Sequence, residues 1–197
     1  MTREHRRHGP VAHKNILDLL LPASRAGRAG TTAVEFAVLG VPFLMFFLFL
    51  FEVGLDFYMQ TALDYVVAEV SRRVQTGAGQ SAASAAAFQS QYVCPVAAGL
   101  LNCNSLTIGV QPVTTDFYTQ QLTVPATGGV LNTSGYTYCA GTPGELMLVQ
   151  AVYVSPSIVG MLVPGMSVIS GSARVRVTTS SMGFVNEYFT GPDTVGC

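Results

Sequence analysis

Few residues in this chain are placed to do chemistry. Glu35 is a lone carboxylate, five positions after Gly30, at the edge of an uncharged run from Phe36 to Phe51. An ionised glutamate costs roughly 2.5 to 3.5 kcal/mol at the centre of a membrane helix and less near its edge, so this position calls for a charge partner or for water. Cys94, Cys103, Cys139 and Cys197 all follow the run. An even count suits disulfides in an oxidising compartment, with three possible pairings. The expected pairing is Cys94 with Cys103 and Cys139 with Cys197.

Other chemistries fit poorly. No Cys-x-x-Cys spacing occurs, and His5, His8 and His13 all precede Gly30, so no metal site and no cofactor are expected. Beyond Gly30 there is no histidine to serve as base for a serine or cysteine nucleophile. Asp116, Glu145, Glu187 and Asp193 are scattered without motif, and Gly77-Ala78-Gly79 lacks the lysine and the preceding strand of a phosphate loop. The chain is therefore not expected to be an enzyme. A carboxylate pair meeting in space, in an exported hydrolase held by a signal anchor, is the competing hypothesis.

The element that carries Glu35 is a membrane helix. Of 197 residues only 11% are charged, against about 25% in ordinary globular chains. From Thr31 to Val53 a helix rises roughly 35 Å, enough to cross a hydrocarbon core of about 30 Å. Arg3, Arg6, Arg7, Lys14, Arg25 and Arg28 precede Gly30 against only Glu4 and Asp18, which by the positive-inside rule puts the N-terminus in the cytoplasm and the rest of the chain across the membrane. A basic leader of this kind reads as a topology signal, and no nucleic-acid partner is expected. No Ala-x-Ala-like site follows the run, so it stays on the protein. Within the leader, Ile16 to Leu21 suits a short amphipathic segment on the inner membrane face.

Three groups of residues carry a family resemblance. Gly30-Thr31-Thr32-Ala33-Val34-Glu35-Phe36 looks like a class III signal of the type IV pilin world. Ala33 to Leu39, Pro42 within the run, and Phe51-Glu52-Val53-Gly54 closing it resemble the TadE-like family of Flp (tight adherence) pilus pseudopilins, TadE and TadF among them. Asn186-Glu187-Tyr188-Phe189 echoes the family's Asn-Glu-Pro-aromatic tail, with Tyr188 in place of the proline. The resemblance is close over about Arg28 to Gly54.

That resemblance implies cleavage by a prepilin peptidase between Gly30 and Thr31, and pairing of the Glu35 carboxylate with the new amine of a neighbouring subunit. It assigns recognition and assembly to Glu35 and Phe36, and a transmembrane motif to Pro42, Glu52 and Gly54. The implied function is a pseudopilin or minor pilin of a Flp (Tad) type IV pilus, acting in assembly or initiation. The implied partners are the peptidase, other pilins and pseudopilins, the inner-membrane assembly platform and membrane lipid. The implied location is the bacterial inner membrane, with one pass and the C-terminal domain in the periplasm or in the pilus. An uncleaved TadE-like scaffold of the secretion machinery and an adhesin-like tip subunit are the alternatives.

Beyond the run, Leu55, Met59, Ala62, Val66, Val70 and Val74 recur at spacings of three and four, with Asp56, Asp64, Glu69, Arg72 and Arg73 on other faces. One helix from about Thr32 to Gln75 is expected, ended by Gly77-Ala78-Gly79. Ser81 to Tyr92, with Ser81 as N-cap, reads as a second helix before Cys94-Pro95. Leu106 to Val110, Leu146 to Val154 and Ala173 to Val177 read as strands. In the last, Arg174, Arg176 and Thr178 form the wet face and Ala173, Val175 and Val177 the buried one. The segment 114–142 is expected to form loops and short hairpins, and 157–163 an apolar connector.

The expected fold is α+β: a long N-terminal pilin-like helix packed on an antiparallel β-sheet. Residues 1–30 form a basic leader, 31–54 the transmembrane helix, 55–76 its amphipathic extension, and 77–197 the extracytoplasmic domain with its disulfides.

Overall fold

The computed structural model describes residues 26–114, 125–157, 160 and 167–189. Residues 1–25 of the expected leader, part of the expected loop segment, most of the 157–163 connector and Cys197 lie outside the described residues. The chain forms two compact units, one up to Phe47 and one from Leu48 onward.

Helix α1 runs Ala26–Gln75, which is the expected spine with its start moved six residues upstream. Alanines and arginine before Gly30 favour helix, and the cost of the glycine, about 1 kcal/mol against alanine, is met by helix on both sides. The helix is continuous across Pro42. In the first unit every large apolar side chain from Val34 to Phe47 is exposed, on all faces of the helix. Such a surface belongs in lipid or among other helices.

In the second unit α1 becomes one-sided. Ala62, Leu63, Val66, Val67, Val70 and Val74 are buried, each fully buried large side chain contributing roughly 1.5 to 3 kcal/mol. Leu63 and Val67 widen the expected stripe, whereas Leu55, expected on it, is exposed. The helix stops at Gly77, whose φ of 80° is left-handed. Gly77 N–H donates to the Val74 carbonyl (2.9 Å), as the expected C-cap requires.

The second helical segment differs from expectation. A 3-10 turn, Ala78–Ser81, comes first. Helix α2 is Ala85–Phe88, a π turn covers Gln89–Val93, and α3 is Cys94–Ala97. The N-cap is Ser84, not Ser81: its Oγ accepts from Ala87 N–H at 3.2 Å. Helical structure runs through Pro95 because a proline in the first turn of α3 gives up no needed donor.

The strands are β1 (Leu106–Pro112), β2 (Ala126–Thr127), β3 (Val130–Leu131), β4 (Leu146–Pro156), β5 (Val168–Ser170) and β6 (Ala173–Val185). They form one sheet in the order β1-β4-β6-β5-β3-β2. The fold is α+β as expected, but the sheet is mixed: β3 pairs with β5 in parallel through Val130 and Ile169, and Val110 makes a parallel bridge to Tyr138. The long pairings, β1 with β4 and β4 with β6, are antiparallel. Central β4 is buried on both faces from Met147 to Val152, matching its unbroken apolar sequence. Leu106, Ile108, Val110, Met147, Val149, Ala151 and Phe184 share one core with the buried face of α1.

The expected faces of β6 hold only in part: Val175 is buried and Arg174 exposed as expected, but Ala173 is exposed and Thr178, expected on the wet face, is buried. Register places Arg176, Thr178 and Phe184 on the face shared with Met147, Ala151 and α1. Thr178 is buried, and Thr179, Ser181 and Val185 on the opposite face are exposed. The helix draws Arg176 inward because it carries carboxylates at that level.

Candidate functional site

Glu52 closes the apolar run of α1, yet it is only 8% exposed. Its position on the helix turns it toward β6 and the end of β4. Arg176 Nη2 lies 3.2 Å from Glu52 Oε1, and Ser157 Oγ–H donates to the same oxygen at 2.6 Å. One turn further along α1, the Asp56 carboxylate accepts from Arg176 Nη1. Ser157 in turn accepts from Gly160 N–H (2.9 Å). The hydrogen bond to Asp56 holds the Arg176 guanidinium above its ordinary range, the charges of Asp56 and Glu52 add to this, and burial opposes it.

Each side chain of this cluster is bonded to another member of it. What it can do is hold: one guanidinium joins two turns of α1 to β6, and a serine joins the same carboxylate to the end of β4. The arrangement lets a carboxylate stand at the end of a lipid-like helix without facing lipid, since a charge leaving water must be paired and hydrogen-bonded. Sequence reasoning picked out Glu52 but missed Asp56, Ser157 and Arg176 as its partners. The available signal was the pair of arginines inside a strand whose other residues are uncharged.

A second junction ties the far end of α1. Glu187 N–H donates to the Gln75 carbonyl (2.9 Å), satisfying one of the acceptors a helix C-terminus leaves open. Asn186, 2% exposed, donates from Nδ2 to the carbonyls of Ala140 (3.0 Å) and Thr142 (3.1 Å). The Phe189 ring lies so close to Gly77 that an added Cβ would sit 2.6 Å from it. The tail Asn186-Glu187-Tyr188-Phe189 is thus a clamp on the spine. Tyr188, the departure from the resembled tail, is 94% exposed.

The remaining singled-out residues are dispersed. Gly30, Thr31, Glu35 and Phe36 lie on the exposed surface of α1 in the first unit, and an added Cβ at Gly30 would meet nothing within 4 Å. Pro42 is also in the first unit, and Gly54 is exposed in the second. Cys94 and Cys103 form a disulfide with Cα atoms 5.4 Å apart, as expected. Cys139 is also disulfide-bonded. Its expected partner, Cys197, lies outside the described residues.

The glycine that opens the resembled signal also opens a family match. Residues 30–72 match the TadE-like protein family. The TadE-like segment therefore begins at Gly30, contains Glu35, Glu52 and Asp56, and ends within α1, short of the sheet. No curated protein and no solved structure matches the chain. One helix, Gly30–Gln75 within the described residues, is long and apolar enough to cross a membrane.

Proposed function

We propose that this chain is a pseudopilin or minor pilin of a Flp (Tad) type IV pilus: a single-pass inner-membrane protein with its N-terminus in the cytoplasm, cut after Gly30 by a prepilin peptidase. The observation that carries this reading is the TadE-like match starting at Gly30 itself, in a helix whose apolar residues from Val34 to Phe47 are exposed on every side. Cleavage would create an amine on Thr31, about one helical turn from Glu35. In low dielectric the Glu35 carboxylate needs such a partner, and a neighbouring subunit's new amine would neutralise it. The partners are then the peptidase, other pilins and pseudopilins, the assembly platform and lipid. The work is done by surfaces rather than catalysis.

N-terminal sequencing or intact mass of the membrane-extracted protein, with and without the peptidase, tests this. A start at Thr31 that depends on the peptidase supports it. An intact leader sinks the processing step and favours the uncleaved scaffold, for which the continuation of α1 upstream through Gly30 to Ala26 speaks.

A further inference from the structure

Strand β6 runs alongside the second-unit part of α1 in the same direction: Arg176 meets Glu52 and Asp56, the Thr179 carbonyl accepts from Gln60 Nε2 (3.3 Å), and Glu187 N–H donates to the Gln75 carbonyl. One side of β6 is paired with β4 from Val175 to Val185, whereas β5 pairs with the other side only from Ala173 to Val175. From Val177 to Val185 no strand among the described residues lies on that second side. Asn186 N–H donates to the Glu145 carbonyl on the β4 side, and peptide groups alternate along a strand. Val177, Thr179, Ser181, Gly183 and Val185 therefore direct their N–H and C=O groups away from β4, toward the open side. Gln60 bonds the Thr179 carbonyl there, a side chain standing in for a strand donor.

An open edge of roughly 30 Å is normally guarded by charges, proline or a bulge. This one has none of them: Val177-Thr178-Thr179-Ser180-Ser181-Met182-Gly183-Phe184-Val185 is uncharged, and its register with β4 is unbroken. Thr179, Ser181, Met182, Gly183 and Val185 are exposed. A cleft of about 430 Å³ opens between α1 and the Val177 end of the edge, lined by Phe57, Gln60, Val177 and Thr179. Gln60 Nε2 also donates to Asp64 Oδ1 (3.0 Å), which sets the Asp64 carboxylate beside the edge. Among the described residues no cation meets it.

We propose that this edge is an acceptor for an extended segment of another protein, which adds to the sheet as a strand beside β6. Main-chain hydrogen bonds supply the affinity, and side chains at alternate positions the selectivity. The segment that fits carries lysine or arginine opposite Asp64 and apolar side chains toward Phe57 and Met182, which are 70% and 43% exposed. A second copy of β6 does not fit. Antiparallel pairing would point the two α1 helices in opposite directions, which chains inserted alike in one bilayer do not allow; this step rests on the reading that α1 spans the membrane. Parallel pairing about a twofold axis would set N–H against N–H.

The test uses the full chain in vesicles of phosphatidylethanolamine and phosphatidylglycerol, and a fluorescent peptide of alternating threonine and valine with a central lysine, followed by anisotropy. Ser181→Pro removes an outward N–H and leaves the bonds to β4 in place, since proline is tolerated where a strand's N–H faces out. It is expected to weaken peptide binding by about ten-fold, and Asp64→Lys to weaken it several-fold. Equal binding of a peptide N-methylated at alternate residues, unchanged affinity in both variants, or no binding at millimolar peptide overturns the proposal. Ser181→Cys chains that form disulfide-linked dimers in the vesicles overturn the choice of partner in favour of a second copy. A leader still cut after Gly30 when the peptide fails to bind leaves the proposed function standing.

Discussion

Arg176 Nη2 lies 3.2 Å from Glu52 Oε1, so a strand residue and a helix residue far apart in sequence meet where the apolar run of α1 ends. Both are largely buried, with side chains 18% and 11% exposed. Removing Arg176 leaves Glu52 buried and without its guanidinium. Arg176→Met is expected to lower stability by about 2 to 3 kcal/mol, below the loss from a fully dry pair because water reaches part of the cluster. The double variant with Glu52→Gln should recover part of that loss. Urea midpoints in detergent micelles give both numbers, and a double variant no better than the single one would contradict the pairing.

The tail clamp predicts a contrast between neighbours. Asn186→Ala removes two donors and leaves the carbonyls of Ala140 and Thr142 without them, at a cost of about 2 kcal/mol. Tyr188→Ala, at an exposed position, should change stability by less than about 0.5 kcal/mol. Thermal unfolding of the two variants side by side checks this.

Alkaline pH should loosen the domain through Tyr138. Its hydroxyl donates to the Gly79 carbonyl and its ring stacks on Phe88, and burial raises the phenol above its ordinary value of 10.0. The folded state therefore keeps a proton that the unfolded chain releases. Stability is full below about pH 10 and falls as pH rises beyond it. Urea midpoints from pH 8 to pH 11 should fall more steeply for the natural protein than for Tyr138→Phe, and parallel curves would refute the assignment.

Glu35 should behave oppositely to Glu52. It lies exposed in the first unit, so Glu35→Ala is expected to leave the unfolding midpoint of the second unit unchanged within about 0.5 kcal/mol and to permit membrane insertion. Pilus assembly should be lost. Normal piliation by this variant would remove the role proposed for the carboxylate.

The spine was legible because its signals are local. An uncharged run, a three-four repeat and a glycine stop each act over a few residues, and α1 ends where they say. Strand β1 and the start of β6 were legible from alternation and β4 from its apolar run, whereas β5 was not read at all and β6 runs on to Val185, past the expected Val177. The faces of β6 were legible only at Arg174 and Val175: a pattern of arginine against valine says which residues are polar, while Glu52 and Asp56, more than a hundred positions away, decide that Arg176 turns inward. Ser84 displaced Ser81 as N-cap for a similar reason. Gln80 donates to the Gly141 carbonyl (2.7 Å), and the chain makes a 3-10 turn there before the helix can start. Asn186 was noticed only by family resemblance, since its partners at Ala140 and Thr142 are backbone atoms that leave no mark in the sequence.

Because Glu52 and Asp56 are fastened to β6, and Gln75 to Glu187 just past its end, β6 lies along α1 and a mechanical load on the helix enters the sheet lengthwise. The β4–β6 ladder joins eleven residue pairs, from Leu146 with Val185 to Pro156 with Val175. Pulled along the strands, those pairs share the force together in shear instead of opening one after another like a zip. A subunit drawn by its helix out of the bilayer would carry its domain along intact.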